Sequence, residues 1–198
     1  MRITQKIAYF LALTVCLPTG TFASDPSMEI ISAKGNRYEH KLFRLRIITR
    51  SPNQIAAFYE ARGFPEAAIN EVRKVCFITI GLGNNSSQKL YHDLSQWQFS
   101  DKDGLVKRIL RPKWKKRWSE LDLEKRFQST FRWTLMPEKL DFYPQEGEGG
   151  NLIFPRTGKP LTITTHIRIG EGDKISLHQV TFKDIQCAID AEQEKTPQ

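Results

Sequence analysis

Reaction chemistry is what this sequence has least of. No serine sits in a Gly-x-Ser-x-Gly setting, so nothing marks a nucleophile elbow. The four histidines, His40, His92, His166 and His178, stand singly, with no second ligand at metal spacing on the same element. A blue-copper site needs His and Met soon after a strand-end cysteine, and neither follows Cys76 or Cys187. Asp101-Lys102-Asp103-Gly104 opens like a calcium loop, but the twelfth position, where an acid is required, is Pro112, so the stretch reads as a hairpin turn. Gly81-x-Gly83 and Gly147-x-Gly149-Gly150 lack the following helix that lets a glycine loop hold phosphate, and read as tight turns. His92 and Asp93 are chain neighbours in an extended segment, so their side chains diverge. No cofactor and no metal is expected. Carboxylates brought together by folding leave a glycosidase-type site open as an alternative.

Long apolar runs are also missing, apart from Ile7 to Leu17. That run is short for a bilayer span. Arg2 and Lys6 precede it and Thr21-Phe22-Ala23 follows in a small-x-small pattern, which together describe a secretory signal peptide over residues 1–23. The expected location is therefore periplasmic or extracellular, with no transmembrane anchor. Cys16 lies inside the run behind Val15, where a lipidation signal wants a small residue, so it is expected to leave with the leader. Of three cysteines, Cys76 and Cys187 then remain, an even number in an oxidising space. They are expected to pair, the alternative being two buried thiols. The chain-entropy model gives a bridge over such a loop at most roughly 4–5 kcal/mol. Asn84-Asn85-Ser86 and Asn85-Ser86-Ser87 would be glycan sites only in a eukaryotic secretory route.

Positive charge is plentiful but local. The whole chain carries +8, and the leader holds two bases and no acid, which leaves +6. Seven bases and no acid lie between Lys107 and Arg117; without them the remainder is at −1. The basicity thus belongs to one segment.

The length suits one domain with a real core. Residues 24–36 read as a loose arm, 37–190 as a single domain, and 191–198 as a frayed tail. The organising stretch is Val75 to Gly104. Cys76, Ile78, Ile80 and Leu82 share one parity and Val75, Phe77 and Thr79 the other, so this strand is apolar enough to lie between two layers. Phe43, Leu45 and Ile47 alternate with Arg44 and Arg46 in an earlier strand. Between the two, Ser51-Pro52 starts a helix that Gly63 closes, and Pro65 starts a second, giving an inserted helical hairpin. Beyond Gly104, Pro112 starts a further short helix with Trp114, Trp118 and Leu121 as a stripe. Phe131, Trp133 and Leu135 read as a strand, Asp141 to Asn151 as an acidic loop, and Leu152-Ile153-Phe154 as a short strand. Leu161 to Ile169 is a half-buried strand. From Ile175 to Cys187 the last strand changes parity twice, which suggests bulges. The pattern is mainly β: a sandwich of about seven strands.

The run from Val75 to Gly104, with its GNNSS turn, the aromatics Trp97 and Phe99 and the Asp-x-Asp-Gly turn, resembles secreted bacterial Ig-like β-sandwich domains. The later segment FRWTLMP…NLIFP is similar to the strands that follow in such domains. The resemblance covers about half of the chain beyond the leader. It implies an Ig-like fold and an extracytoplasmic setting, and attaches no active-site residues.

The basic segment carries the functional expectation. Arg108, Arg111, Lys113, Lys115, Lys116 and Arg117 would engage an anionic protein, envelope polymer or lipid surface. Trp114 and Trp118 would either face that partner or dock on the sandwich with the bases as a solvated face. Nucleic acid ranks last, since an exported protein seldom meets it. The reading is a non-enzymatic binding or accessory module of the cell envelope. The alternatives are an envelope hydrolase with a loop-assembled site, or a purely structural subunit.

Overall fold

The computed structural model describes residues 28–190. The stretch expected to be a signal peptide, with Cys16, and the tail from Ala191 lie outside the described residues.

Phe43, Leu45 and Ile47 are buried on β3 (Phe43–Arg50), while Arg44 and Arg46 point to solvent. Ser51 then caps α1 (Pro52–Glu60). Its hydroxyl accepts from the Gln54 N–H and the Gln54 side chain accepts from the Ser51 N–H, a reciprocal box that fixes the start of the helix. Gly63, at φ +72°, turns the chain into α2 (Glu66–Arg73). This is the inserted helical hairpin that the sequence predicts.

The chain next enters β4 (Val75–Asn84), the central strand. β5 (Leu90–Asp93), β6 (Gln98–Asp101) and β7 (Gly104–Leu105) follow. The β6–β7 connection is the expected hairpin turn, with Asp101 accepting from the Asp103 N–H and Gly104 at positive φ. Two helices, α3 (Arg111–Glu120) and α4 (Lys125–Trp133), precede β8 (Lys139–Phe142), β9 (Gly147–Pro155), β10 (Leu161–Ile169) and β11 (Ser176–Ile185). Near the start of the described chain lie β1 (Met28–Ser32) and β2 (Arg37–Glu39).

The strands make two sheets. One runs β1-β11-β10-β5-β8, with β6 also pairing β10 and β7; the other runs β2-β3-β4-β9. The two sheets share a core: Phe43, Ile47, Ile78 and Ile80 from the second meet Leu90, Ile163, Ile167 and Phe182 from the first. The opposite parity of β4 faces a second core. There Phe77 and its partner Ile153 on β9 lie under residues of all four helices, including Tyr59, Ile69, Trp118 and Phe131. The architecture is mainly β, with two facing sheets and a helical layer over one of them. Cys76 and Cys187 lie at bonding distance (S–S 1.97 Å, Cα–Cα 5.5 Å), joining β4 to the segment after β11.

Several expectations are corrected. Eleven strands are present among the described residues, rather than about seven, and four helices rather than three. The segment read as a loose arm supplies β1, which pairs in parallel with β11 and is held by Glu29 at 2.8 Å from His178. Phe131 to Leu135 is the end of a helix and the turn after it, not a strand. Phe127 and Phe131, four apart, face the core while Trp133 points outward, so five alternating residues had mimicked a strand. The glycine motifs are not tight turns. Gly81 pairs with Gly149 and Gly83 with Gly147 along β4 and β9, so the loop expected over Asp141 to Asn151 is largely strand. Opposite Gly83 the bare backbone makes room for the Arg44 guanidinium, and a Cβ at Gly150 would come within 2.4 Å of the Met136 backbone. The last strand shifts register once, not twice: His178 takes the inward position expected of Leu177, and the irregularity lies opposite Leu161 and Ile163.

Candidate functional site: the cationic groove between two helices

α3 holds Pro112 in its first turn for a local reason: proline's fixed φ suits a turn that has no N–H bond to lose. Its tryptophans then follow the four-residue spacing into the second core. Trp114 and Trp118 are 5% and 2% exposed. Their rings lie 4.9 Å apart, at 4.8 and 5.0 Å from Phe131 of α4. The tryptophans are therefore docked inside, and the bases between them form the outer surface.

That surface has two unlike sides. On the side toward α2, Arg117 donates to Glu71 at 2.6 Å and to Glu120 at 3.3 Å, and Lys116 lies 4.0 Å from Glu120. Burial pushes the Glu71 carboxyl up, but hydrogen bonds from Arg117 and Lys74 outweigh it and hold the acid below its usual range. Arg108, ahead of the helix, is bound through both terminal nitrogens to Glu138, at 3.2 and 2.8 Å. Arg108 and Arg117 are thus engaged with acids of the chain itself.

The side toward α4 differs. A groove of about 510 Å³ runs between the two helices, floored by Trp114, Trp118 and Phe131. Arg111, Lys115, Lys125 and Arg132 line it, and no carboxylate does. Of the residues that line it, the indole nitrogens of Trp114 and Trp118 and Nε of Arg111 are buried without a hydrogen-bond partner. α3 has no acid at its start, where the positive end of the helix dipole would favour one, while α4 has Glu124 as its cap residue, 3.0 Å from Arg126. Cations with no carboxylate among them, over an aromatic floor, make a site complementary to an anion with an apolar part.

Of the six bases expected from the sequence, Arg111 and Lys115 line this groove. Lys113 and Lys116 lie with Arg117 along the other side of α3, in a smaller recess that also contains Glu71 and Glu120. Lys125 and Arg132 escaped the sequence reading because α4 was not recognised. The signal available was the four-residue spacing of Leu123, Phe127 and Phe131, which are all buried.

A larger cavity, about 780 Å³, opens on the other sheet. Asp93, Asp141 and His166 line it together with Lys139 and Arg168. Asp93 is drawn down to about 2, first by the hydrogen bond from Lys139, 2.8 Å away, and then by Ser95. His92, buried beneath and bonded through neither nitrogen, is held at about 4 because burial disfavours its charged form. Among the described residues no group of three or more His, Cys, Asp or Glu is placed to hold a metal ion, and no helix is long and apolar enough to cross a membrane.

Two facing sheets capped by a cationic helical layer are what the fold and the site define. No known family model and no curated protein matches the chain. Among solved structures, the yjhA protein from Bacillus subtilis is similar over 77% of this chain and 99% of its own, at 9% identity and a TM-score of 0.40. A likeness at that level carries no inference about function.

Proposed function

We propose that the chain is an exported, non-enzymatic binding module of the cell envelope, built on an Ig-like two-sheet core, that takes an anionic partner on its α3–α4 face. The observation that carries this reading is the groove lined by four bases and no acid. A set of cations without internal counter-ions raises the local concentration of anions and weakens with salt. The disulfide-linked pair supports an oxidising setting.

The test is binding of the purified chain to a soluble polyanion such as polyglutamate at low and high salt. Lys115→Glu with Lys125→Glu, both at exposed positions, is expected to weaken binding on the order of tenfold or more. Lys102→Glu, in the β6–β7 turn, is expected to leave it nearly unchanged. Equal losses from both changes would mean that net charge, not the groove, does the binding.

A second reading, an envelope hydrolase, is favoured by the two carboxylates and three histidines lining the larger cavity. Against it, a general acid must hold its proton near neutral pH. Asp93 is shifted the opposite way. Turnover of a glycan or ester that Asp141→Asn abolishes would favour the hydrolase over the binding module.

A further inference from the structure

The cationic groove lies beside an aromatic that folding leaves outside. Trp133, the last residue of α4, is 81% exposed, its ring 6.0 Å from the guanidinium of Arg132. Arg132 itself lines the groove. At the start of α3, Leu110 is 47% exposed and is followed directly by Arg111, another groove residue. The Arg132 cation thus has an exposed ring beside it, and Arg111 has an exposed leucine as its chain neighbour.

Different partners would use this face differently. A soluble polyanion would meet the cations and leave Trp133 and Leu110 in water. An uncharged apolar partner would cover those two and desolvate four cations without return. A surface of anionic lipid headgroups answers to both. Phosphate oxygens accept from guanidinium and ammonium groups, while an indole settles at headgroup depth, where its ring leaves water and its N–H still finds an acceptor. The first turn of α3 strengthens the preference. Arg111 opens it at a helix end that is already positive, whereas the start of α4 carries its own acid, Glu124, paired with Arg126.

The geometry points to the α3–α4 face as a docking surface for an anionic lipid bilayer, with phosphate headgroups in the groove and Trp133 entering the interface. This rests on the anion-binding reading above and gives it one partner. The attachment is peripheral and reversible. Each base near such a surface contributes roughly a fivefold gain in affinity, which salt removes, and the apolar insertion is shallow.

The experiment compares vesicles of phosphatidylcholine with and without phosphatidylglycerol, polyglutamate, and inorganic phosphate as a competitor, using the purified chain. Binding is expected only to vesicles containing phosphatidylglycerol, with tryptophan fluorescence quenched by brominated acyl chains. Trp133→Ser, at an exposed position, is expected to weaken vesicle binding on the order of tenfold, remove most of the quenching, and leave polyglutamate binding unchanged. Lys115→Glu with Lys125→Glu is expected to weaken both. Groove-dependent binding to polyglutamate without vesicle binding overturns the membrane inference and leaves the module reading standing. So does vesicle binding indifferent to Trp133→Ser, or complete displacement from vesicles by inorganic phosphate. Failure to bind either polyglutamate or vesicles overturns both readings.

Discussion

The two faces of β4 bury their side chains against different partners. The inward row, Cys76, Ile78, Ile80 and Leu82, meets the other sheet through mostly aliphatic contacts and is tied to the end of the chain by the Cys76–Cys187 pair. The outward row meets helices through rings: Phe77 lies among Tyr59, Phe64, Trp114, Trp118, Phe127 and Phe131. Both cores enclose polar atoms without partners. In the sheet core these belong to His92, which can meet burial by remaining uncharged. In the helical core they are indole and guanidinium donors, which have no neutral acceptor form. The helical side carries the bases that have no acid beside them, and the sheet side carries the covalent tie.

The most severe way to probe that contrast is to unlink the sheets. Cys76→Ser with Cys187→Ser is expected to lower stability by up to about 4–5 kcal/mol, measured by urea denaturation. A loss below about 1 kcal/mol would mean the aliphatic contacts hold the sheets without the link. A narrower change is Trp118→Ala, expected to destabilise by about 3–5 kcal/mol. Hydrogen exchange should then rise first in α3 and α4 while β10 and β11 stay protected. Uniform loss of protection would show that the two cores open as one.

The mildest probe is pH. Unfolded, His92 takes a proton near its ordinary value of 6.5; folded, it resists until about 4. Between those values the unfolded state binds more protons, so stability falls as pH drops from 6.5 toward 4, by roughly 3 kcal/mol in all. His178, pushed down mainly by burial although Glu29 pulls the other way, acts in the same sense. His92→Leu is expected to flatten most of the slope in that window, read as melting temperature against pH. An unchanged slope would move the acid sensitivity elsewhere.

Much of the sheet core was legible beforehand, and for a definite reason. β4 carries apolar residues at both parities, and β3 and β10 alternate cleanly, so period and burial agree there. The α1–α2 hairpin was legible because Ser51, Pro52, Gly63 and Pro65 punctuate it. α4 was not. Its first turn has no side-chain cap, and its last residues alternate like a strand. The candidate site was accordingly half visible: Arg111 and Lys115 stood out in a run of bases, while Lys125 lay in a stretch given no element and Arg132 in one assigned to the wrong period. β9 was obscured by glycines that usually break strands, but here let β4, Arg44 and the Met136 backbone come close.

By itself the sequence determined the local choices: which segments alternate, where α1 starts and stops, which two cysteines are available to meet, and that the positive excess is concentrated in one stretch. Those follow from nearest neighbours along the chain, where sterics and spacing act directly. Which of those bases are neutralised was decided only by the tertiary structure. Glu71 and Glu138 reach Arg117 and Arg108 from distant parts of the chain, while α4 brings Lys125 and Arg132 to Arg111 and Lys115 with no acid between them. Electrostatic pairing depends on distance through space, and that distance is not written in the order of residues.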